Sequence, residues 1–387
     1  MACGYAPGCD APRVVGALWK EGVLRPVTGQ RIVAILAAGG LTLAAAACGD
    51  APEDTPSGSG ASAAAAYKAC MVTDTGGIDD RSFNASAWAG MQAAKEAASN
   101  VDPKYVASTA EADYEPNLRQ FVTQKCNFIL AVGGLMGDST KAVAATATDS
   151  QFGIVDSSIA DAKNVYPMQF ATDEAAFLAG YLAAGYSKTG KVATYGGLAI
   201  PPVTVFMDGF ADGVAYYNTQ KSKNVQVLGW DKAKQNGTIA GNFGDQAKGK
   251  SITSTFVAQG ADVIMPVAGG TGLGTADVAK ASGGKVSVIW VDQDGCKSAE
   301  QYCDVFLTTV VKNITDAVKQ AVTDGAQGKT LGSTPGYLGT LENNGVSLAP
   351  YNQFDSKVDA GLKAEIDKLK ADIIAGTVKV ESANAPK

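Results

Sequence analysis

The sequence predicts an α/β protein of two lobes, each a doubly wound parallel sheet, joined by a hinge. Three observations carry this expectation. From Tyr67 onward, short apolar runs alternate with longer segments whose apolar residues recur near the helical period, the β-α-β-α-β pattern of a parallel sheet with crossover helices. A second series of the same kind begins after the strongly apolar stretch "EAAFLAGYLAAGYS". Of the 387 residues, the first 66 read as unstructured or removable. Roughly 320 remain, enough for two domains of ordinary size, each with a full core.

In chain order, "YKACMVT", "KYVAST" and "CNFILAVGG" read as strands separated by helices at "SAWAGMQAAKEAA" and "EPNLRQFVTQ". "FGIVDS" and "YPMQFAT" continue the first sheet, and "EAAFLAGYLAAGYS" is a buried helix. The second series has strands at "KVATYGG", "VQVLGW" and "ADVIMPVAGG", with helices around "VTVFMDGFADGVAYYN" and "GDQAKGKSITSTFVAQG". "KVSVIWVDQD" and "VFLTTVVKNITDAVKQAV" add strand, loop, strand and helix, and a last helix is expected at "DAGLKAEIDKLKADIIAG". The expected division places residues 67–171 and 285–312 in the first lobe, and 172–284 and 313–387 in the second.

In open parallel sheets the ligand crevice lies at the carboxyl ends of the strands. Polar, glycine-rich motifs stand there: "DTGGIDDRSFN", "GGLMGDS", "GGLAIPPVTVFMDGF", "AGGTGLGT" and "VDQD". Two lobes presenting these ends to each other make one cleft, the build of a solute-binding protein. In the opening turn, Asp74 and Asn84 are the leading candidates for sugar contacts. The adjacent Asp79 and Asp80 read equally well as an acidic cluster at a helix N-terminus.

Composition excludes several functions. A formal net charge of −6 opposes a nucleic-acid surface. The absence of histidine removes Ser-His-Asp and Cys-His nucleophile pairs and histidine-containing metal sites. No cofactor or metal is expected.

The N-terminus reads as an export signal: Arg31 precedes "IVAILAAGGLTLAAAAC", too short and too rich in small residues for a comfortable membrane span. It resembles a bacterial lipoprotein signal with Cys48 as the lipidated residue, although Ala45 stands where a branched residue is usual; an ordinary secretory signal is the alternative. Residues 1–48 form this region, with a translation start expected at Val23 or Val27, and residues 49–66 form a flexible Gly/Ser/Pro/Ala tether. The expected location is the extracytoplasmic face of the cell membrane. Cys70, Cys126, Cys296 and Cys303 remain, an even number in an oxidising compartment. Pairings 70 with 126 and 296 with 303 are favoured among the three possible, with four buried thiols as the alternative.

The segments "VTDTGGIDDRSFN", "GGLMGDS", "PPVTVFMDGFADGV", "ADVIMPVAGGTGLG", "VDQD" and "TTVVKN" together resemble the basic membrane protein family, the substrate-binding lipoproteins of nucleoside ABC transporters, which include purine nucleoside receptors. The likeness runs in the same order from about residue 67 to the C-terminus. It implies a type I periplasmic-binding-protein fold, with three crossings between lobes that close on a nucleoside, and an ABC permease and ATPase as partners. It implies further that Phe83 and Phe206 sandwich the base, that Asp138 bonds the ring edge, that Asp292 and Lys312 grip the ribose, and that Gly269 and Gly270 let backbone amides approach the sugar. Stacking on both faces suits a flat heteroaromatic ring. All but the two glycines also have a structural alternative, which for Lys312 is a solvated surface position. The phenylalanines can be core, Asp138 can cap the helix "STKAVAATAT", and Asp292 can cap a helix or pair with Lys312. Two other functions fit the same features: a ligand sensor of the same fold, or a nucleoside-cleaving enzyme using Asp79 and Asp80 with a metal.

Overall fold

The computed structural model describes residues 65–332 and 335–386. The expected signal region with Cys48, and the tether up to residue 64, lie outside the described residues. The first lobe opens with β1 (Tyr67–Val72), α1 (Phe83–Ala97), β2 (Val101–Val106), α2 (Tyr114–Thr123), β3 (Phe128–Val132), α3 (Gly137–Thr146), β4 (Gln151–Val155) and β5 (Val165–Phe170). The chain crosses into α4 (Thr172–Tyr186), β6 (Lys191–Gly196), α5 (Pro201–Lys221), β7 (Gln226–Leu228), a small hairpin of β8 (Trp230–Asp231) and β9 (Asn236–Gly237), α6 (Gln246–Ala258), β10 (Val263–Val267), α7 (Leu273–Ala281), β11 (Ser287–Asp292), the short α8 (Gly295–Ser298) and β12 (Phe306–Lys312). It returns to the first lobe for α9 (Ile314–Ala326) and β13 (Tyr337–Gly339), then crosses back for β14 (Val346–Leu348) and α10 (Ala360–Ile374).

Two six-stranded sheets result, ordered β13-β5-β4-β3-β1-β2 and β14-β12-β11-β10-β6-β7. Every pairing in them is parallel except β12 with β14. Helices cover both faces, so central strands such as β3, β10 and β11 are buried along their whole length. Three segments join the lobes: β5 to α4, β12 to α9, and β13 to β14.

Residues 285–312, expected in the first lobe, belong to the second. Val263 of β10 pairs with Ser287 and Val288 pairs with Phe306, so β11 and β12 continue the second sheet. The helix α9, expected in the second lobe, packs on α1 of the first. A strand buried on both faces carries no mark of which sheet it joins; its neighbours are settled only by packing. A second difference is local. β2 starts at Val101 and contains Pro103, whereas the sequence reading began the strand after the proline. β2 is an edge strand, where a missing N–H costs no ladder bond.

Within the second lobe, α4 and α5 make the tightest helix pair. Its contact rests on glycine: a Cβ on Gly213 would collide with the carbonyl oxygen of Phe177, and one on Gly180 with that of Phe210. Almost the whole of α4 is buried, which explains its lack of a polar stripe. Disulfides join Cys70 to Cys126 and Cys296 to Cys303, with Cα separations of 6.0 and 4.5 Å. No described helix is long and apolar enough to cross a membrane.

Candidate functional site

The carboxyl ends of β1, β3, β4, β6, β10, β11 and β12 converge on one cavity between the lobes, with about 530 Å³ of space not filled by atoms. Each strand delivers its residues through the turn that follows it.

After β1 the chain turns through residues 73–82 into α1, and this turn is built around two buried carboxylates. Asp80 Oδ1 accepts from the amides of Ser82 (3.0 Å) and Ala85 (3.1 Å), and Oδ2 from the amide (2.8 Å) and Nδ2 (3.1 Å) of Asn84. It thereby satisfies two of the orphan amides in the first turn of α1, those of Asn84 and Ala85. Burial nevertheless pushes its pKa up to about 7, against those hydrogen bonds and with a smaller contribution from Asp74. Asp74 Oδ1 accepts from Gly76 N (2.8 Å) and Asn84 Nδ2 (2.7 Å). Its Oδ2 makes no hydrogen bond among the described residues and lies beside Gly133 and the Phe83 ring. Burial raises the Asp74 carboxyl above its usual range; hydrogen bonds from Asn84 and Gly76 oppose the shift, and the charges of Asp292 and Asp156 add to it.

Two further carboxylates come one from each lobe. Asp156 follows β4 and Asp292 ends β11, and both adopt left-handed backbone, φ 61° and 66°, which aspartate tolerates better than most residues. Lys312, at the end of β12 and only 2% exposed, lies between them. Its Nζ is 2.6 Å from Asp156 Oδ2 and 3.7 Å from Asp292 Oδ1. The other oxygen of Asp292 accepts from Ser82 Oγ at 2.5 Å, a bond across the lobes. Burial raises the Asp156 carboxyl, and the Lys312 ammonium only partly offsets it. The same ammonium lies 5.2 Å from the centre of the Phe83 ring and 5.0 Å from that of Phe206, cation–π distances.

The structure thus brings Asp74, Phe83, Asn84, Phe206, Gly269, Asp292 and Lys312 to the cavity wall. It does not bring Asp138 or Gly270 there. Asp138 is an exposed residue in the first turn of α3, a helix that starts at Gly137, one residue ahead of it. Its charge there complements the helix dipole. Gly270 is buried in the turn after β10, beneath Phe243.

Sequence reasoning missed Asp80 as a wall residue, together with Asp156 and Phe243. Asp156 had the signal that marked Asp292: an aspartate closing an apolar strand, "FGIVD" beside "VSVIWVD". Phe243 sits in an irregular segment between β9 and α6 and reaches the cavity by packing against Gly76, Gly197 and Gly269, a contact without sequence signature.

The comparisons accord with this architecture. The chain is 34% identical over 330 residues to the ABC transporter nucleoside-binding protein BmpA of Lactococcus lactis subsp. cremoris, covering 81% of this chain and 89% of the relative. It is 28% identical to basic membrane protein A1 of Borrelia garinii subsp. bavariensis, with 82% and 89% covered. An ABC transporter solute-binding protein from Aeropyrum pernix K1 shares the fold, with a TM-score of 0.72 at 24% identity over 81% of this chain and 92% of that one. One from Conexibacter woesei has a TM-score of 0.62 at 21% identity, with 82% and 99% covered. The profile described as "ABC transporter substrate-binding protein PnrA-like" matches residues 67–383. The chain therefore belongs to the PnrA-like family of ABC transporter substrate-binding proteins.

Proposed function

We propose that the protein is a lipid-anchored extracytoplasmic receptor that captures a nucleoside, with purines favoured, and presents it to an ABC importer. The observation that carries this reading is the pairing of Phe83 from the first lobe with Phe206 from the second on one cavity whose remaining polar groups are mostly carboxylates. A flat ring takes the space between the phenyl faces. Asp292 and Asp156 offer acceptors to vicinal ribose hydroxyls, and Lys312 supplies a donor. Asp74, with Oδ2 beside Phe83, takes the ring-edge role first expected of Asp138; a ring N–H or exocyclic amine bonds it, which favours purines carrying such a donor. The relative from Lactococcus lactis, named as nucleoside-binding, supports the ligand class. Cys48 carries the anchor in this reading.

Calorimetry of residues 60–387 against adenosine, guanosine, inosine, cytidine, uridine and free ribose tests it, with chromatography of each sample afterwards. Binding of purine nucleosides without product is expected; no heat with any nucleoside overturns the ligand. Phe83→Ala should weaken binding by about 1–3 kcal/mol with an unchanged circular dichroism spectrum. Unchanged affinity removes Phe83 from the stacking role.

A further inference from the structure

The cavity adjoins a second chamber. The two share Gly134, Leu135, Asp156, Ile200, Pro202 and Lys312, and the second counts about 1140 Å³ of space not filled by atoms, open solvent at its mouth included, against about 530 Å³ in the first on the same measure. Its outer wall is the C-terminal segment Ala383–Pro386.

That wall is fixed in place. Asp208 of α5 is 0% exposed, and its Oδ2 accepts from Ser382 Oγ (2.6 Å) and Asn384 Nδ2 (3.0 Å). Its Oδ1 accepts from Trp230 Nε1 and Gln235 Nε2, both at 2.9 Å. A buried carboxylate with four donors, two of them from the tail, straps residues 382–384 to the second lobe. Across the chamber, Ser157 and Gln169 belong to the first lobe, and their side chains make no hydrogen bonds among the described residues. Pro201, Val205 and Phe170 add apolar surface.

We propose that this chamber is a subsite for a neutral substituent on the 5′ carbon of the bound nucleoside, so that the ligand class includes 5′-thioether nucleosides as well as the parent compounds and excludes nucleotides. The inference rests on the nucleoside reading above. In that reading Asp292, Asp156 and Lys312 hold the ribose. Carboxylates bind the vicinal 2′ and 3′ hydroxyls pairwise, which leaves the 5′ carbon as the substituent free to point away. Asp156 and Lys312 line both chambers, so the ribose end faces the second. Charge decides what enters. Among the described residues lining the two chambers, Lys312 is the one cation and already serves Asp156 and Asp292, whereas Asp74, Asp80, Asp156 and Asp292 are carboxylates. A phosphate in the second chamber meets the Asp156 carboxylate, faces three more in the adjoining cavity, and finds no free cation. A thioether needs no charged partner and suits a wall of hydroxyl, amide and apolar groups.

The test compares adenosine, 5′-deoxy-5′-(methylthio)adenosine and adenosine 5′-monophosphate by calorimetry, on the parent and on Ala383→Trp, which adds bulk at the chamber's outer wall. On the parent, the thioether should bind within about threefold of adenosine, and the monophosphate at least about thirtyfold more weakly. Ala383→Trp should weaken the thioether by about tenfold or more and leave adenosine unchanged. If adenosine binds the parent and the thioether binds more than tenfold worse, or if the monophosphate binds as well as adenosine, the subsite is refuted while the nucleoside reading stands. An Ala383→Trp protein that treats adenosine and the thioether alike also refutes the subsite. If no nucleoside binds, the parent reading itself is wrong and the subsite falls with it.

Discussion

Lys312 is the residue on which the site's electrostatics turn. It is buried, 2.6 Å from Asp156 and 3.7 Å from Asp292. Such a pair need not add net stability, but removing one partner strands the others' charge in a medium that solvates it poorly. Lys312→Met should therefore destabilise the fold by about 3–5 kcal/mol in urea denaturation, and adding Asp156→Asn should recover part of that loss. Equal stability of single mutant and parent would show that Asp156 and Asp292 find other compensation. Asp80 governs a pH response. Its carboxyl lies at about 7 in the folded protein and near 3.8 in the unfolded chain, so between these values the native state keeps a proton that the unfolded state has released. Stability is then fully present below about pH 4 and is lost as pH rises through 7. Asp74 and Asp156, also raised by burial, act in the same direction. The midpoint of thermal unfolding should fall from pH 4.5 to pH 7.5, with a shallower fall in Asp80→Asn; parallel slopes in both would remove Asp80 from this role. At this scale the sequence was readable where a residue's type met a positional rule. Phe83 in a polar turn and Asp292 at a strand end are such cases, and Asp156 could have been read the same way. Asp138 misled because "GGLMGDS" stands after a strand end, yet the chain enters α3 at Gly137, which leaves Asp138 exposed in the first turn.

Between the elements, the α4–α5 contact is the least tolerant joint. Gly213 faces the carbonyl of Phe177 with no room for a methyl group, and the far side is helix backbone, which cannot rotate away. Gly213→Ala should cost about 1–3 kcal/mol, read as a lower urea midpoint at unchanged m-value. Because α5 also carries Pro202 and Phe206, a shift of the helix should weaken the ligand as well. A variant as stable as the parent would mean that the two helices separate at little cost. Most elements were legible because their apolar runs have the length and period of strands and helices. β13 and β14 were not: each has three residues, too few to show a period, and each exists by pairing with a distant edge, β5 and β12 respectively. The lobe assignment of β11 and β12 failed for a related reason, since pairing partners of fully buried parallel strands are chosen by packing over long sequence distances.

As a whole, the molecule is a substrate-binding protein of an ABC transporter, which passes a small molecule to a permease while an ATPase supplies the work. Three crossings make the hinge, and the lobes meet through a few specific bonds: Ser82 Oγ to Asp292 Oδ2 and to Val291 O, Trp290 Nε1 to Arg81 O, and Lys312 to Asp156. Two lobes were visible in the order of strands and helices, but the bonds that hold them closed were not, because each joins residues more than 150 positions apart. In a two-lobed receptor such bonds favour the closed over the open form, and a ligand gripped from both sides draws on that balance. Ser82 tests this cleanly. It does not line the cavity, its hydroxyl bridges the lobes, and opening would let water satisfy Asp292 and Val291 in its place. Ser82→Ala should thus disfavour the closed form by about 1.5–3 kcal/mol, the range for a hydrogen bond to a charged group. The dissociation constant should rise about tenfold or more, chiefly through faster release. Small-angle scattering should show a radius of gyration for the unliganded variant equal to or larger than the parent's, with both converging at saturating ligand. Unchanged affinity with unchanged scattering would mean that closure is held by the remaining interlobe contacts, and that Ser82 serves only the local geometry of Asp292.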